Sequence, residues 1–207
     1  MSVAASDPSS IESSRYKTEF GIWIFLATEV LFFNALFLAF AINKTRHPVA
    51  FLIAEKHTDL FYGTLNTAVL LTSSATVALA VKAADAGRRR LAVRLLAATI
   101  GLALCFLAVK GLEYHSDVVK GLTPGAGFRL TPPDTALFWT LYWVMTGVHA
   151  VHVTVGILVL GFLAWSARAG RIELRGGAIE AAALYWHFVD IVWIFLYPLL
   201  YLGGRAT

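Results

Sequence analysis

The stretch YWHFVDIVWIFLY at residues 185–197 decides the fold of this chain. It is apolar enough to cross a membrane, yet it holds His187 and Asp190 one helical turn apart. A charged side chain at the centre of a bilayer costs roughly 3 kcal/mol on insertion scales, so Asp190 needs a partner. A helix places His187 on the same face, which makes it the nearest candidate. The stretch therefore predicts a transmembrane helix that carries a buried polar pair.

The composition of the whole chain is that of a membrane protein. Of its 207 residues 58% are hydrophobic and only 14% are charged, and the mean hydropathy is +0.69. Soluble domains carry about 25% charged residues, so this chain has too much apolar surface for a soluble core. The single cysteine, Cys105, lies in an apolar run and excludes a disulfide framework within the chain.

Apolar runs long enough to cross a bilayer, about 20 residues each, recur along the chain. They cover residues 20–43, 63–81, 91–112, 135–165 and 181–202. Short polar segments with glycine or proline separate most of them. The sequence therefore predicts an all-α fold, an integral membrane bundle of five transmembrane helices. It divides the chain into a polar cytoplasmic tail at residues 1–19 and a membrane domain at residues 20–203, without internal repeats.

The placement of the basic residues predicts the orientation of the bundle. Most of the 17 lysines and arginines lie in the N-terminal tail and in the connections after the second and fourth runs. Basic loops stay on the cytoplasmic side of a membrane. We therefore expect a cytoplasmic N-terminus and a C-terminus on the opposite, periplasmic or extracellular, face. This topogenic role explains the basic residues without a nucleic-acid partner.

Polar side chains inside the runs are candidates for a site, because their burial must be compensated. Five of them form a predicted polar layer: Glu29, His149, His152, His187 and Asp190. Hydrogen bonds between membrane helices contribute roughly 0.6–2 kcal/mol each, and we expect the layer to join helices in this way. Glu29 has an alternative role as a proton-relay carboxylate, which stays open. The acids at helix ends are Glu113 and Glu180, the second placed to favour the helix dipole.

Metal or haem ligation is the competing interpretation of the histidines. His149 and His152 lie one turn apart on one helix, so they cannot hold one haem from opposite sides, whereas His149 with His187 leaves haem binding open. No cysteine-rich or His-Glu-x-x-His spacing points to zinc or copper. We expect neither a catalytic centre nor a metal centre in this chain.

Several motifs occur in an order that resembles subunit III of the haem–copper oxidases. They are GIWIFLATEVLFF at 21–33, LNTAVLL at 65–71, EY at 113–114, TGVHAVHV at 146–153, and EAA followed by YWHFVDIVW at 180–182 and 185–193. The resemblance covers nearly all of residues 18–203. Within it, Glu29 matches the family's buried, carbodiimide-reactive glutamate.

The resemblance implies a non-catalytic subunit of a proton-pumping terminal oxidase in a bacterial cytoplasmic membrane. Such a subunit packs against the catalytic subunit I, which holds the haem and copper, and against other oxidase subunits. It supports proton uptake during aerobic electron transport, and it has no cofactor of its own. The chain resembles the short, five-helix form rather than the seven-helix form. Phospholipid binding, which the long form places in a cleft beside its first two helices, therefore stays open.

Two further interpretations of function stay open. The ending FLYPLLYL at residues 195–202 also resembles accessory subunits of nitric oxide reductase. From a different class, a membrane haem-binding electron carrier would use the histidine pair. A small transporter is disfavoured, because the sequence shows neither inverted repeats nor broken helices.

Overall fold

The computed structural model describes residues 8–205 except residues 126, 173, 175 and 176, with side chains from Phe20 onward. Its elements are α1 (Pro8–Arg46), α2 (Pro48–Lys56), α3 (Leu60–Asp85), α4 (Arg89–Val119), α5 (Thr135–Arg168), α6 (Gly177–Tyr197), a π-helical turn (Pro198–Leu202) and a 3-10 turn (Gly203–Arg205). Five of the helices are long and apolar enough to cross a membrane. The predicted all-α, five-span membrane fold is therefore confirmed.

The helices extend beyond the predicted apolar runs. α1 begins at Pro8, so part of the predicted polar tail is helical, while residues 1–7 lie outside the described residues. The division into a tail and a membrane domain stays a prediction. α4 continues to Val119, well past the predicted end at residue 112. The short helix α2 has no counterpart among the predicted spans.

Local sequence explains where α3 begins and how the chain turns into α4. Asp59 caps the start of α3, because its carboxylate accepts a hydrogen bond from the Phe61 backbone N–H at 3.0 Å. After α3 the chain reverses through Gly87, whose φ of 72° lies in the left-handed region that favours glycine. This tight turn allows α3 and α4 to pack as an antiparallel hairpin.

Helices α3, α4, α5 and α6 form a closed ring. Each packs against the next, and α6 packs back against α3, while α1 lies outside the ring against α5 and α6. Half of the most apolar window of the last span is buried, against 17% for the first span. α1 therefore presents most of its apolar surface to the surroundings of the chain, and the interior of the ring is the best-shielded part of the molecule.

The end of the bundle that holds the α3–α4 turn and the α5–α6 connection is called the inner end here. Arginines line an open cavity of about 960 Å³ at this end: Arg88, Arg89, Arg90, Arg94 and Arg168. The Arg89 guanidinium donates to the Ala167 carbonyl and so joins the two connections. The two basic connections that the sequence assigns to one face thus lie together. Arg175 lies outside the described residues.

The opposite, outer end is closed by α2 and the terminal turns, which pack against each other. Lys44 Nζ bonds Glu55 Oε1 at 2.5 Å, and Glu55 is fully buried. Burial raises the pKa of the Glu55 carboxyl group, although Lys44 beside it acts in the opposite direction. The Arg205 guanidinium donates to the Thr58 carbonyl at 2.7 Å, so the end of the chain is fastened to the α2–α3 connection.

Candidate functional site

Glu29 of α1 and His152 of α5 form a hydrogen-bonded pair inside the membrane-spanning region. Glu29 Oε2 lies 2.9 Å from His152 Nε2. The other ring nitrogen, Nδ1, lies 2.9 Å from the Val148 carbonyl oxygen, which only accepts hydrogen bonds. Nδ1 therefore carries a hydrogen, and the short contact at Nε2 requires a second one, which either the imidazole or the carboxyl group holds. The contact thus places one shared hydrogen between two helices.

The pair lies where it is shielded but still reachable from outside the bundle. The side chains of His152 and Glu29 keep 17% and 19% of their surface exposed. The Phe33 ring packs edge-on against the His152 ring, with centroids 5.1 Å apart, and the Tyr185 hydroxyl donates to the His152 carbonyl at 3.1 Å. These contacts fix the imidazole while leaving one side of the pair open.

An apolar groove of about 590 Å³ runs beside the pair between α1, α5 and α6. Its lining includes Phe25, Val155, Leu158 and Tyr185. Tyr185 contributes its ring to the groove and its hydroxyl to the His152 backbone, so groove and pair are neighbours. The Glu29–His152 pair therefore borders an apolar groove that α1, α5 and α6 line together.

The other members of the predicted polar layer do not join this pair. His149 is fully buried and packs between the rings of Phe106 and Trp193, at centroid distances of 5.6 and 5.1 Å. His187 Nδ1 bonds the Ser74 hydroxyl of α3 at 2.7 Å. The layer is thus split between the outside of the ring, where Glu29 and His152 lie, and its interior.

The predicted hydrogen-bonded partnership between Asp190 and His187 is not what the structure shows. The Ser74 hydroxyl hydrogen-bonds the His187 ring, and it also lies close to the Asp190 carboxyl group. Neither carboxyl oxygen of Asp190 forms a hydrogen bond of good geometry in the described part of the chain, although the residue is only 3% exposed. The spacing put both side chains on one helical face, but the neighbouring helix supplies a better partner for the histidine.

A second polar cluster, which sequence reasoning missed, fills the outer part of the ring. We call it the Lys110 cluster: Lys110, Glu113 and Asp117 of α4, Tyr142 of α5 and Tyr201 of the π-helical turn. All five residues are at most 2% exposed. Lys110 Nζ bonds Glu113 Oε2 at 3.0 Å, the Tyr142 hydroxyl at 2.8 Å and the Tyr201 hydroxyl at 2.7 Å. One cation therefore ties together three elements.

Both tyrosines of the Lys110 cluster also reach its carboxylates. Each hydroxyl donates to Glu113 Oε1 at 2.8 Å, and the Tyr142 hydroxyl lies 3.3 Å from Asp117 Oδ2. Pro198, which has no backbone N–H, begins the π-helical turn, and that turn carries Tyr201 into the ring. Lys110, Glu113 and Asp117 recur at intervals of three and four residues, a helical-face signal that was present in the sequence.

The two acids predicted at helix ends have different positions. Glu113 does not lie at a helix end, because α4 continues for more than a turn beyond it and buries its carboxylate. The polar residues after residue 112 lowered the hydropathy and made the predicted span too short. Glu180 lies in the first turn of α6. Among the described residues no three histidine, cysteine or acidic side chains converge as metal ligands would.

Comparison with known proteins gives a single consistent result. A family model described as cytochrome c oxidase subunit III matches residues 12–205. The chain is 34% identical to cytochrome c oxidase subunit 3 of Thermostichus vulcanus, over 89% of this chain and 87% of that protein. It is 29% identical to cytochrome bo(3) ubiquinol oxidase subunit 3 of Pseudomonas aeruginosa, over 90% and 85% respectively. With cytochrome c oxidase subunit 3 of Neurospora crassa the identity is 34%, and the match spans 66% of that longer protein.

Proposed function

The chain belongs to the cytochrome c oxidase subunit III family, as a non-catalytic subunit of a haem–copper oxidase, and we propose that it stabilises the catalytic subunit I and supports its proton uptake. It is a multi-pass membrane protein. We place it in a bacterial cytoplasmic membrane with the N-terminus in the cytoplasm, because the arginines of two connections gather at one end of the bundle.

The close contact between Glu29 and His152 is the observation that supports a role in proton uptake. Glu29 Oε2 and His152 Nε2 lie 2.9 Å apart between α1 and α5, both side chains are partly exposed, and α1 is the least covered of the spans. Carboxylates and histidines within membrane spans mark proton relays in many membrane proteins. A proton held at this place can be exchanged with a neighbouring subunit while the remainder of the bundle stays closed.

The partners in this proposal are subunit I, which would hold the haem and the copper, other oxidase subunits, and membrane lipid. The outward face of α1 is apolar and open to a protein or lipid neighbour. Its side chains Trp23, Leu31 and Leu38 are 61%, 69% and 60% exposed. Apolar patches of this kind are covered by protein or by lipid in a membrane protein. The nitric oxide reductase and haem-carrier alternatives gain no support from the relatives found.

The first part of the test asks whether the chain is a subunit of an oxidase. The tagged full chain is purified from native membranes in mild detergent, and the eluate is analysed by mass spectrometry, by its optical spectrum and by oxygen consumption. We expect a large haem- and copper-containing subunit to co-elute with oxygen-reducing activity. A haem spectrum from the chain alone, or nitric oxide reduction without oxygen reduction, would refute the proposal.

The second part asks whether the Glu29–His152 pair supports proton uptake. Glu29→Gln keeps the length and hydrogen-bonding capacity of the side chain but cannot store the proton. We expect Glu29→Gln and Glu29→Ala to assemble, because one interhelical hydrogen bond in a membrane contributes only about 0.6–2 kcal/mol. Both should lose activity several-fold faster during turnover than the native complex, and more so as the pH rises and protons become scarce.

The control for this test is Thr28→Ala on the same helix. Thr28 is exposed and bonds only the Phe25 carbonyl of its own helix, so its removal should leave turnover stability unchanged. If Glu29→Gln keeps native activity over many turnovers at every pH, the pair has no part in proton uptake, whether or not the chain is an oxidase subunit.

A further inference from the structure

Three residues inside the α3–α6 ring carry polar atoms that nothing in the described chain satisfies. They are Asn66, His149 and Asp190, which are 0%, 0% and 3% exposed. Both side-chain polar atoms of Asn66 and His149 are buried without a hydrogen-bond partner in the described chain, and the Asp190 carboxyl group has beside it the Ser74 hydroxyl, which already bonds His187. The other unpartnered buried atoms lie toward the outer end, at Glu55, Trp139 and Trp143. The interior of the ring therefore concentrates the unsatisfied polar groups of the membrane-spanning helices.

Contacts between neighbouring helices place these three residues within about one helical turn of Trp193 along the axis of the ring. The Trp193 indole N–H donates to Thr67 Oγ1 at 3.1 Å, so Asn66, the preceding residue of α3, lies at the level of Trp193. The His149 ring is 5.1 Å from the Trp193 ring. Asp190 precedes Trp193 by one turn of α6, a rise of about 5 Å along the helix. All three residues are thus grouped around Trp193.

This level lies directly below the Lys110 cluster. Lys110 Nζ is 5.7 Å from the centre of the Trp193 ring, on the outer side of the residues just described. On the inner side, Ser74 beside Asp190 bonds His187 at 2.7 Å. Polar groups therefore follow one another along the axis of the ring from His187 to Asp117, and the unpartnered atoms interrupt the hydrogen-bonded series between two satisfied clusters.

Leaving such groups unsatisfied would be costly. A buried donor or acceptor without a partner costs about 1–3 kcal/mol, and more than 90% of such groups in proteins are satisfied. Helix carbonyls can accept a second hydrogen bond, as Val148 does from His152, but none in the described chain takes one from Asn66 or His149. Water both donates and accepts, and a buried water makes about 3 hydrogen bonds. A bare cation fits poorly, because an amide oxygen and one carboxyl group offer too few oxygen ligands and the imidazole needs a donor as well as an acceptor.

We propose that Asn66, His149 and Asp190 form an internal hydration site, where ordered water molecules bridge the three side chains. This water completes the hydrogen-bonded series between Ser74 with His187 on one side and the Lys110 cluster on the other. The subunit then contains a hydrated polar interior of its own, separate from the Glu29–His152 pair outside the ring. The inference does not depend on the proposed role in proton uptake.

Hydroxyl-radical labelling by brief X-ray irradiation tests this site in native membranes that contain the full chain. Radicals form from water and react with the side chains next to it, so bound internal water labels residues that bulk solvent does not reach. We expect Phe106 and Trp193 to be labelled clearly above Phe40, Phe51 and Phe138. These three phenylalanines are equally buried, at 0% exposure, and their rings pack against one another. Labelling of Phe106 and Trp193 no higher than that of the three controls would overturn the proposal.

Variants separate bound water from transient opening of the bundle. Asp190→Leu and Asn66→Leu remove polar ligands and should lower the labelling of Trp193 several-fold, whereas Asp190→Asn keeps a polar ligand and should retain most of it. His149→Phe provides a second removal variant of similar shape, should Asp190→Leu fail to accumulate. Phe51, which is 0% exposed, reports that each variant remains folded if its labelling stays as low as in the native chain. Native-level labelling of Trp193 in folded leucine variants would overturn the proposal.

Discussion

Lys110 is the residue whose burial most needs a physical explanation. A lysine at the centre of a membrane helix costs roughly 3 kcal/mol on insertion scales. Lys110 lies in the outer part of the ring, at 2% exposure. Its ammonium group has three N–H donors. They bond Glu113, Tyr142 and Tyr201 at 3.0, 2.8 and 2.7 Å respectively. Every donor is therefore used, and the Glu113 carboxylate beside the ammonium group neutralises the charge. A cation with these partners fixes the geometry of three elements, but it makes the fold sensitive to the loss of any one of them.

We therefore predict that Lys110→Met destabilises the subunit strongly. The variant leaves Glu113 and Asp117 buried without a cation, and breaking a buried ion pair in this way costs about 3–5 kcal/mol. Replacing both members of a pair is often close to neutral, so Lys110→Met combined with Glu113→Gln should recover part of the loss. The measurement is the thermal midpoint and the amount of assembled subunit for the native chain, both single variants and the double variant.

The control for the Lys110 variants is Lys56→Met, at an exposed lysine in the last turn of α2. It removes the same charge without opening a buried cluster, and it should change the thermal midpoint little. Strictly additive effects of the two single variants would contradict a coupled cluster, because residues in one hydrogen-bonded network show an interaction free energy when both are changed.

At the scale of the elements, the close approach of α5 and α6 depends on one glycine. A Cβ atom at Gly156 would lie 2.7 Å from two ring atoms of Trp186. The Trp186 ring is fully buried, and its indole N–H bonds Ser73 of α3 at 3.1 Å, so it cannot move aside easily. At Gly147 and Gly161 of the same helix, in contrast, an added Cβ would meet nothing within 4 Å in the described chain.

The resulting prediction is that Gly156→Ala and Gly161→Ala differ in sign. Overpacking against a fixed ring costs about 1–3 kcal/mol, so Gly156→Ala should lower the thermal midpoint of the purified complex. Gly161→Ala adds a better helix former in an open position, an effect of up to about 1 kcal/mol in favour of the helix. Equal thermal midpoints for the two variants would show that α5 and α6 adapt to the added methyl group.

The number, order and type of the membrane-spanning helices could be predicted from the sequence, because long apolar runs leave little choice in a membrane. The short helix α2 could not, since nine residues without a membrane-length run give no comparable signal. The end of α4 was placed too early for a related reason. A hydropathy threshold treats Glu113 and Asp117 as outside a span, whereas in the structure they have partners across the ring.

Candidate site residues were predictable as polar groups needing compensation, but their partners were not. Glu29 was singled out, yet its pairing with His152 depends on how α1 lies against α5, which the sequence does not specify. Asp190 was assigned to His187 from helical spacing alone, and Ser74 on another helix changed that assignment. Local periodicity predicts which face a residue occupies. The packing of separate helices decides which groups meet there.

At the scale of the whole molecule, charge and polarity are distributed unevenly along the bundle axis. The inner end carries the arginines around the α3–α4 turn, whereas the outer end carries the fully buried Glu55 and the terminal turns packed on α2. Basic residues near the ends of membrane spans are retained on the cytoplasmic side during insertion. The closed outer end and the open, basic inner end thus fit a chain with one fixed orientation across the membrane.

Cysteine labelling tests this orientation directly. In a Cys105→Ser background, Ala86→Cys reports the α3–α4 turn and Lys120→Cys the opposite end of α4, and both positions are exposed. We expect a membrane-impermeant maleimide added to intact spheroplasts to label Lys120→Cys at once, and Ala86→Cys only after lysis. The Cys105→Ser background without an added cysteine sets the zero level of labelling. The reverse pattern would place the arginines outside the cell, in conflict with the positive-inside rule. The proton of the Glu29–His152 pair would then have to be supplied through the opposite end of the bundle.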